Sequence, residues 1–148
     1  MRKLDPNEVY DRALAHPTAA QELDEIELLV YAVKEIETYN LMEGWDSFFI
    51  GSCSYLYPHV RHCLTASGDA RSLAILDDYV LFHSARNVPF EPDWIEELWR
   101  ASDALRPDWG RLFEEACAER WSRIRAYLRS VGVDLPEPSA LTYDSASN

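Results

Sequence analysis

The chain has 148 residues, the length of one domain, and its 47% apolar and 12% aromatic content excludes a disordered protein. Its 26 acidic residues outnumber 14 basic ones and give a net charge of −12, which argues against direct binding to nucleic acid phosphates or to an anionic membrane. The three cysteines, the lack of a signal peptide and the lack of an apolar run of ~18 residues predict a disulfide-free cytoplasmic protein.

The first residues predict a short helix followed by a long one. Pro6 suits the first turn of the short helix, which we expect to end before Pro17. Thr18 and Gln21 have the spacing of a capping box. This spacing predicts a long helix from about residue 19 to residue 39.

Apolar residues cover most of the circumference of this long helix, so we expect it to be the central helix of the fold. Only a narrow arc remains polar, and we expect that arc to face solvent. Its members are Asp24, Glu27, Tyr31, Lys34 and Glu35.

A tryptophan and two phenylalanines follow the long helix. Trp45, Phe48 and Phe49 are three and four residues apart, which places them on one face of a short helix from Trp45 to about Gly51. Together with Tyr55 and Tyr57, these aromatic residues could line a ligand pocket. The helical spacing favours a stripe of the hydrophobic core, since aromatic side chains dominate core packing.

The remaining sequence predicts four more helical segments. They cover about 55–64, about 70–83, a segment starting at Pro92, and about 107–130. We therefore predict an all-α fold, a single compact multi-helix domain of about six or seven helices over residues 1–132. Residues 133–148 are rich in proline and serine and predict a loosely ordered tail.

One cluster has residue types that bind metals. His59, His62 and Cys63 have helical spacing, but a zinc site needs further ligands, which Cys53 or Cys117 would have to supply. The sequence has no nucleophile elbow, phosphate-binding loop or zinc-ligand motif. We therefore expect no catalytic residue, metal or cofactor, and a small metal protein or enzyme is the least favoured alternative.

Rows of carboxylates are the most informative surface feature. Acids three or four residues apart lie ~4.5–6 Å apart along a helix axis, comparable with the ~3.4 Å spacing of phosphates along one DNA strand. Helices side by side could present a negative ridge to a basic protein; the alternative is solvated helix faces, partly neutralised by Lys34, Arg100, Arg111 and Arg123. The candidate partner-binding acids are Asp24, Glu27, Glu35, Asp77, Asp78, Asp93, Glu96, Glu97, Glu114, Glu115 and Glu119.

The segment from Gly44 to Ser52, GWDSFFIGS, resembles the signature of the bacterial DNA-mimic-protein domain family. The matching positions are Gly44, Trp45, Phe48, Phe49 and Ser52, whereas Met42-Glu43, Ser47 and Gly51 depart from the family pattern. The resemblance covers roughly residues 23–90. It implies an all-helical, strongly acidic, cytoplasmic and often dimeric protein that occupies the DNA-binding face of a regulator, and it transfers no catalytic residue.

Charge, carboxylate spacing and resemblance together predict an acidic, non-enzymatic binding protein. We expect it to occupy the DNA-binding surface of a basic regulatory or nucleic-acid-binding protein, as a DNA mimic does. The main alternative is an immunity or antitoxin-like protein that neutralises one toxin.

Overall fold

A computed structural model describes residues 1–50, 53–85 and 106–136. These residues form an all-α fold, as predicted. The predicted loop at 88–92, the helix after Pro92 and the motif residue Ser52 lie outside the described residues. The described α-helices are α1 (Pro6–Ala13), α2 (Glu25–Met42), α3 (Trp45–Ile50), α4 (Tyr57–Ala66), α5 (Ala70–Ala85), α6 (Trp109–Glu115) and α7 (Cys117–Ser130), with 3₁₀ turns at Ala19–Glu22 and Ser54–Leu56.

Helix α2 begins later than the sequence predicted. Thr18 forms no side-chain cap, and the residues after it make only a 3₁₀ turn. Asp24 is the true N-cap: its side chain accepts the Glu27 amide at 2.9 Å, and the Glu27 side chain accepts the Asp24 amide at 3.0 Å. The spacing of a capping box occurs twice in this region, at Thr18 with Gln21 and at Asp24 with Glu27. The capping box forms at Asp24 and Glu27, because their carboxylates are also favoured at the positive end of a helix.

The predicted solvent-facing arc of α2 is wrong at three positions. Glu27, Tyr31 and Glu35 are only 9%, 3% and 4% exposed. Helix α1 packs over this side of α2 and covers them. Helix α2 also contacts α3, α4 and α6, so tertiary packing encloses positions that helical periodicity assigned to solvent.

The aromatic stripe at the start of α3 is part of the core, as predicted, whereas the same prediction is wrong for Tyr55, which is 56% exposed. Trp45, Phe48 and Phe49 are 7%, 0% and 4% exposed. The Phe49 ring centroid lies 4.6 Å from that of Tyr79, and the Trp45 centroid lies 5.0 Å from that of Phe113. The ring contacts join α3 to α5 and α6 at distances typical of favourable aromatic pairs.

The single helix predicted over 107–130 is two helices, separated at Ala116. At the break, the Phe113 carbonyl accepts a hydrogen bond from Arg120 Nη1 at 2.9 Å. In a continuous helix, that carbonyl would accept a hydrogen bond from the amide of the residue four positions later in the chain. At the break, the buried Arg120 guanidinium therefore donates a hydrogen bond to a carbonyl that would accept a backbone amide in a continuous helix.

The ordered domain continues beyond the predicted boundary at residue 132. Gly132 has a φ of +87°, which glycine adopts readily, and it turns the chain out of α7. Arg2–Lys3 then pairs in parallel with Val133–Asp134, and Val133 and Leu135 are buried. A two-residue strand pair is too short to give a period-two pattern, so the sequence did not indicate it. Residues 137–148 of the predicted tail lie outside the described residues.

Candidate functional site

Several carboxylates of this acidic chain are buried or partly buried, and most of them pair with an arginine. Glu27 accepts a hydrogen bond from Arg12 and pairs with Arg2 at 3.3 Å, and both arginine side chains are about half exposed. Such a pair partly offsets the cost of removing the carboxylate from water. The other two arginine pairs are Asp46 with Arg106 at 2.8 Å and Glu37 with Arg120 at 2.7 Å.

Glu35 is held differently. Its Oε1 accepts the Tyr10 hydroxyl at 2.6 Å, and its Oε2 accepts the Tyr31 hydroxyl at 3.0 Å. Cys53 Sγ lies 3.3 Å from the same Oε2. Within the described ranges, no Lys, Arg or His side chain forms an ion pair with Glu35. Among the described residues, neutral donors therefore stabilise this buried carboxylate in place of a counter-charge.

The local fold explains why no cation reaches Glu35. Tyr31 lies one helical turn before Glu35 on α2, and Tyr10 reaches it from α1. The adjacent Lys34 points towards α1, where its Nζ donates to Asn7 Oδ1 at 2.9 Å. The nearest ammonium group along the chain, that of Lys34, thus binds Asn7 and not Glu35.

The tyrosines around Glu35 stay protonated to unusually high pH. Burial is the main cause that raises the pKa of Tyr10 and of Tyr31, and the neighbouring Glu35 carboxylate raises both further. A hydrogen bond with Cys53 raises the pKa of Tyr39 to about 12. These hydroxyls are therefore hydrogen-bond donors at neutral pH, because their ionised forms would be desolvated and repelled by Glu35.

The buried Tyr31 and Glu35 line an open cleft, which we call the Glu35 cleft. Its volume is about 640 Å³, within the range of ligand-binding clefts in proteins. Its wall also contains Leu14, His16, Pro17, Tyr39, Cys53 and Tyr55. The cleft thus combines a carboxylate, a thiol, an imidazole, several aromatic rings and several apolar side chains.

Of the predicted partner-binding acids, Glu27 and Glu35 are wrong as surface positions because both are buried. Four others are exposed but lie within 3.5 Å of arginine, which partly neutralises them. Their pairs are Asp24 with Arg2, Asp77 with Arg61, Glu115 with Arg111, and Glu119 with Arg71 and Arg123.

Two of the remaining predicted acids, Asp78 and Glu114, belong to the described residues. Asp78 accepts a hydrogen bond from Trp109 Nε1 at 2.8 Å, which joins α5 to α6. Glu114 is exposed, and no ion pair forms there among the described residues. The other predicted positions, Asp93, Glu96 and Glu97, lie outside the described ranges.

Sequence reasoning missed three exposed acids near the N-terminus. Glu8 and Asp11 lie on α1, and Glu25 is the first residue of α2, a helix that packs against α1. All three are exposed, and none forms an ion pair with the residues that the structure describes. The three-residue spacing of Glu8 and Asp11 is the signal that could have identified them.

The structure does not assemble the candidate metal cluster. Cys63 is fully buried, and burial raises its pKa to about 12. Cys53 lies beside Glu35, and Cys117 lies 3.7 Å from Glu37, so neither completes a site with His59 and His62. In the part of the chain that the structure describes, no group of three or more His, Cys, Asp or Glu side chains could hold a metal ion.

No protein-family model, curated protein or solved structure matches this chain. Among the described helices, none has both the length and the apolar character that crossing a bilayer requires.

Proposed function

We propose that this protein is an acidic, non-enzymatic binding protein that occupies the DNA-binding surface of a basic regulatory or nucleic-acid-binding protein. The observation that carries the proposal is a group of exposed acids, Glu8, Asp11 and Glu25, that form no ion pair within 4.0 Å in the part of the chain that the structure describes, in a chain of net charge −12. The resemblance of residues 44–52 to the DNA-mimic family supports the same proposal.

These acids differ physically from the paired acids of α6 and α7. Glu115 and Glu119 each lie beside an arginine on the same helix, so their fields are largely cancelled at short range. An unpaired carboxylate keeps its full charge and attracts a basic surface over roughly a Debye length, ~8 Å at physiological ionic strength. We therefore expect recognition to centre on α1 and the start of α2.

The Glu35 cleft supports binding over catalysis. Its tyrosines are protonated donors, and the Cys53 thiolate that nucleophilic chemistry needs would be repelled by the Glu35 carboxylate. Cysteine nucleophiles are instead activated by nearby positive charge. The cleft can therefore hold a ligand, while its cysteine, among the described residues, lacks the positive neighbour that activates a nucleophilic thiol.

The test begins with capture of a partner on the immobilised protein, followed by two competitions. A DNA duplex bound by that partner should displace it, and rising salt should weaken the complex steeply. A partner indifferent to both DNA and salt would contradict mimicry and would favour the immunity-protein alternative.

Charge-reversal variants test which part of the surface contacts the captured partner. We expect Glu8→Lys with Asp11→Lys to weaken the captured complex at least tenfold. Glu115→Lys with Glu119→Lys is the matched control, since it changes net charge equally at arginine-paired positions. Equal losses in the two variants would show a response to net charge alone and would contradict recognition at α1.

A further inference from the structure

The Glu35 carboxylate has an unmet electrostatic requirement. Glu27, Glu37 and Asp46 each pair with arginine. The buried Asp69 has no such pair with a described residue, but it accepts the Ser72 amide at the start of α5, where the helix dipole favours negative charge. Glu35 lies in the middle of α2 and receives neither form of compensation from residues 1–50, 53–85 or 106–136. A cation from outside the chain would supply it.

The hydrogen bonds already made to Glu35 restrict what that cation can be. A carboxylate has about four acceptor positions. Tyr10, Tyr31 and Cys53 occupy three of them. A guanidinium needs two parallel acceptors for its usual bidentate pair and would have to displace a native donor. An ammonium group needs only one acceptor, so it can bind at the acceptor position of Glu35 that the three native donors leave open.

The wall of the cleft suits an alkylammonium group. Tyr31, Tyr39 and Tyr55 place aromatic rings around the space, and aromatic rings attract ammonium cations. Leu14 and Pro17 add apolar surface that an alkyl chain can cover. Tyr55 is 56% exposed, so this wall of the cleft faces solvent, whereas Glu35 and Tyr31 lie at its buried end.

We propose that the Glu35 cleft binds an alkylammonium group, with Glu35 as its counter-ion and Tyr31, Tyr39 and Tyr55 as its aromatic walls. The group can belong to a free amine or to a lysine side chain of the partner. The lysine form rests on the proposed function, whereas binding of a free amine does not.

The first experiment titrates the purified protein with n-butylammonium chloride and follows heat or tyrosine resonances. Sodium chloride at equal ionic strength and neutral n-butanol are the controls. We expect saturable binding of n-butylammonium only, and weaker binding of n-butylguanidinium. Absence of saturable binding, or equal binding of n-butanol, would overturn the proposal.

Two variants test the assigned residues, with folding checked by circular dichroism. Glu35→Gln removes the charge and should weaken n-butylammonium binding at least tenfold. Tyr55→Ala should weaken it severalfold, while Tyr55→Phe keeps the ring and should bind normally. Because Tyr55 is exposed, its variants remain informative even if Glu35→Gln does not fold. Unchanged binding in both Glu35→Gln and Tyr55→Ala would refute the site.

A final arm separates the two sources of the ammonium group. If n-butylammonium competes with the captured partner and Glu35→Gln weakens that complex, the ligand is a lysine side chain. If the partner is unaffected while n-butylammonium still binds, the ligand is a free amine. Because the titration needs no partner, failure of the proposed function leaves the test of the cleft intact.

Discussion

Glu35 and Glu37 lie two residues apart on α2 and have opposite environments. At ~100° per residue they point to nearly opposite sides of the helix. Glu37 faces Arg120 Nε at 2.7 Å and Trp121 Nε1 at 2.9 Å, whereas Glu35 faces tyrosine hydroxyls and a thiol. One carboxylate is neutralised by an arginine, and the other has no ion pair among the described residues and lines an open cleft. Identical residue types in one helix thus have a structural role on one side and, as we propose for Glu35, a role in ligand binding on the other.

The structural side depends on Arg120. Its side chain is fully buried, and its guanidinium carbon lies 3.7 Å from the centroid of the Phe113 ring. Its Nη1 also donates to the Ser72 hydroxyl at 3.1 Å. Through these contacts, one side chain connects α7 with α2, α5 and α6.

The largest effect is expected from Arg120→Met. It leaves Glu37 without its buried counter-charge, and breaking such a pair costs about 3–5 kcal/mol. Urea unfolding should show this loss, while the control Arg123→Met, at an exposed pair with Glu119, should cost less than about 1 kcal/mol. Similar losses in both variants would contradict the structural role of Arg120.

A pH titration tests the buried thiols next. Burial raises the pKa of Cys63 from its ordinary 9.0 to about 12 and that of Cys117 from 9.0 to about 11. Raised folded-state values mean that the unfolded chain releases protons first, so stability is fully present below about pH 9 and is lost as the pH rises towards 11 and 12. We expect Cys63 to lower the free energy of unfolding by about 1.4 kcal/mol per pH unit in its window, and the partly exposed Cys117 to lower it by less.

The Cys63→Ala and Cys117→Ala double variant is the control for that titration. Its unfolding free energy should fall less steeply between pH 9 and 11, and the remaining fall should come from tyrosines such as Tyr39. An unchanged slope would show that the thiols are not responsible.

Gly110→Ala tests the close contact of α6 with α2 and α3. An added Cβ would lie 2.5 Å from Asn40 Oδ1 and 3.2 Å from Trp45 Cβ. Asn40 cannot move freely, since its Nδ2 donates to the Gly110 carbonyl at 2.8 Å. We expect a loss of about 1–3 kcal/mol in urea unfolding.

Adding Asn40→Ala should relieve part of the overlap, so the double variant should lose less than the sum of the two single losses. Strict additivity would contradict the contact.

The smallest expected effect concerns the cap of α2. Asp24→Ala should cost about 1 kcal/mol because it removes the acceptor for the Glu27 amide. Asp24→Asn should retain most of the cap, and Thr18→Ala should have almost no effect. A larger loss for Thr18→Ala than for Asp24→Ala would favour the cap position predicted from sequence.

Sequence periodicity predicted the helical class and the buried aromatic stripe, because both depend on local spacing. It failed for Glu27 and Glu35, since their burial depends on where α1 packs. The burial of Arg120 could have been predicted but was missed. Arg120 lies three residues after Cys117 and four before Ile124, on the apolar side of α7. A charge at such a position indicates a buried pair, although its partner Glu37, 83 residues away, is not readable from sequence.

The most direct measurement of the central contrast is the free energy of unfolding of Glu35→Gln and Glu37→Gln, side by side at neutral pH. Glu37→Gln should lose about 3 kcal/mol, because it leaves the Arg120 guanidinium buried without a counter-charge. Glu35→Gln should change stability by less than about 1 kcal/mol, since tyrosine hydroxyls can rotate to satisfy an amide. Equal losses, or a greater loss for Glu35→Gln, would contradict the division between a compensated and an uncompensated carboxylate.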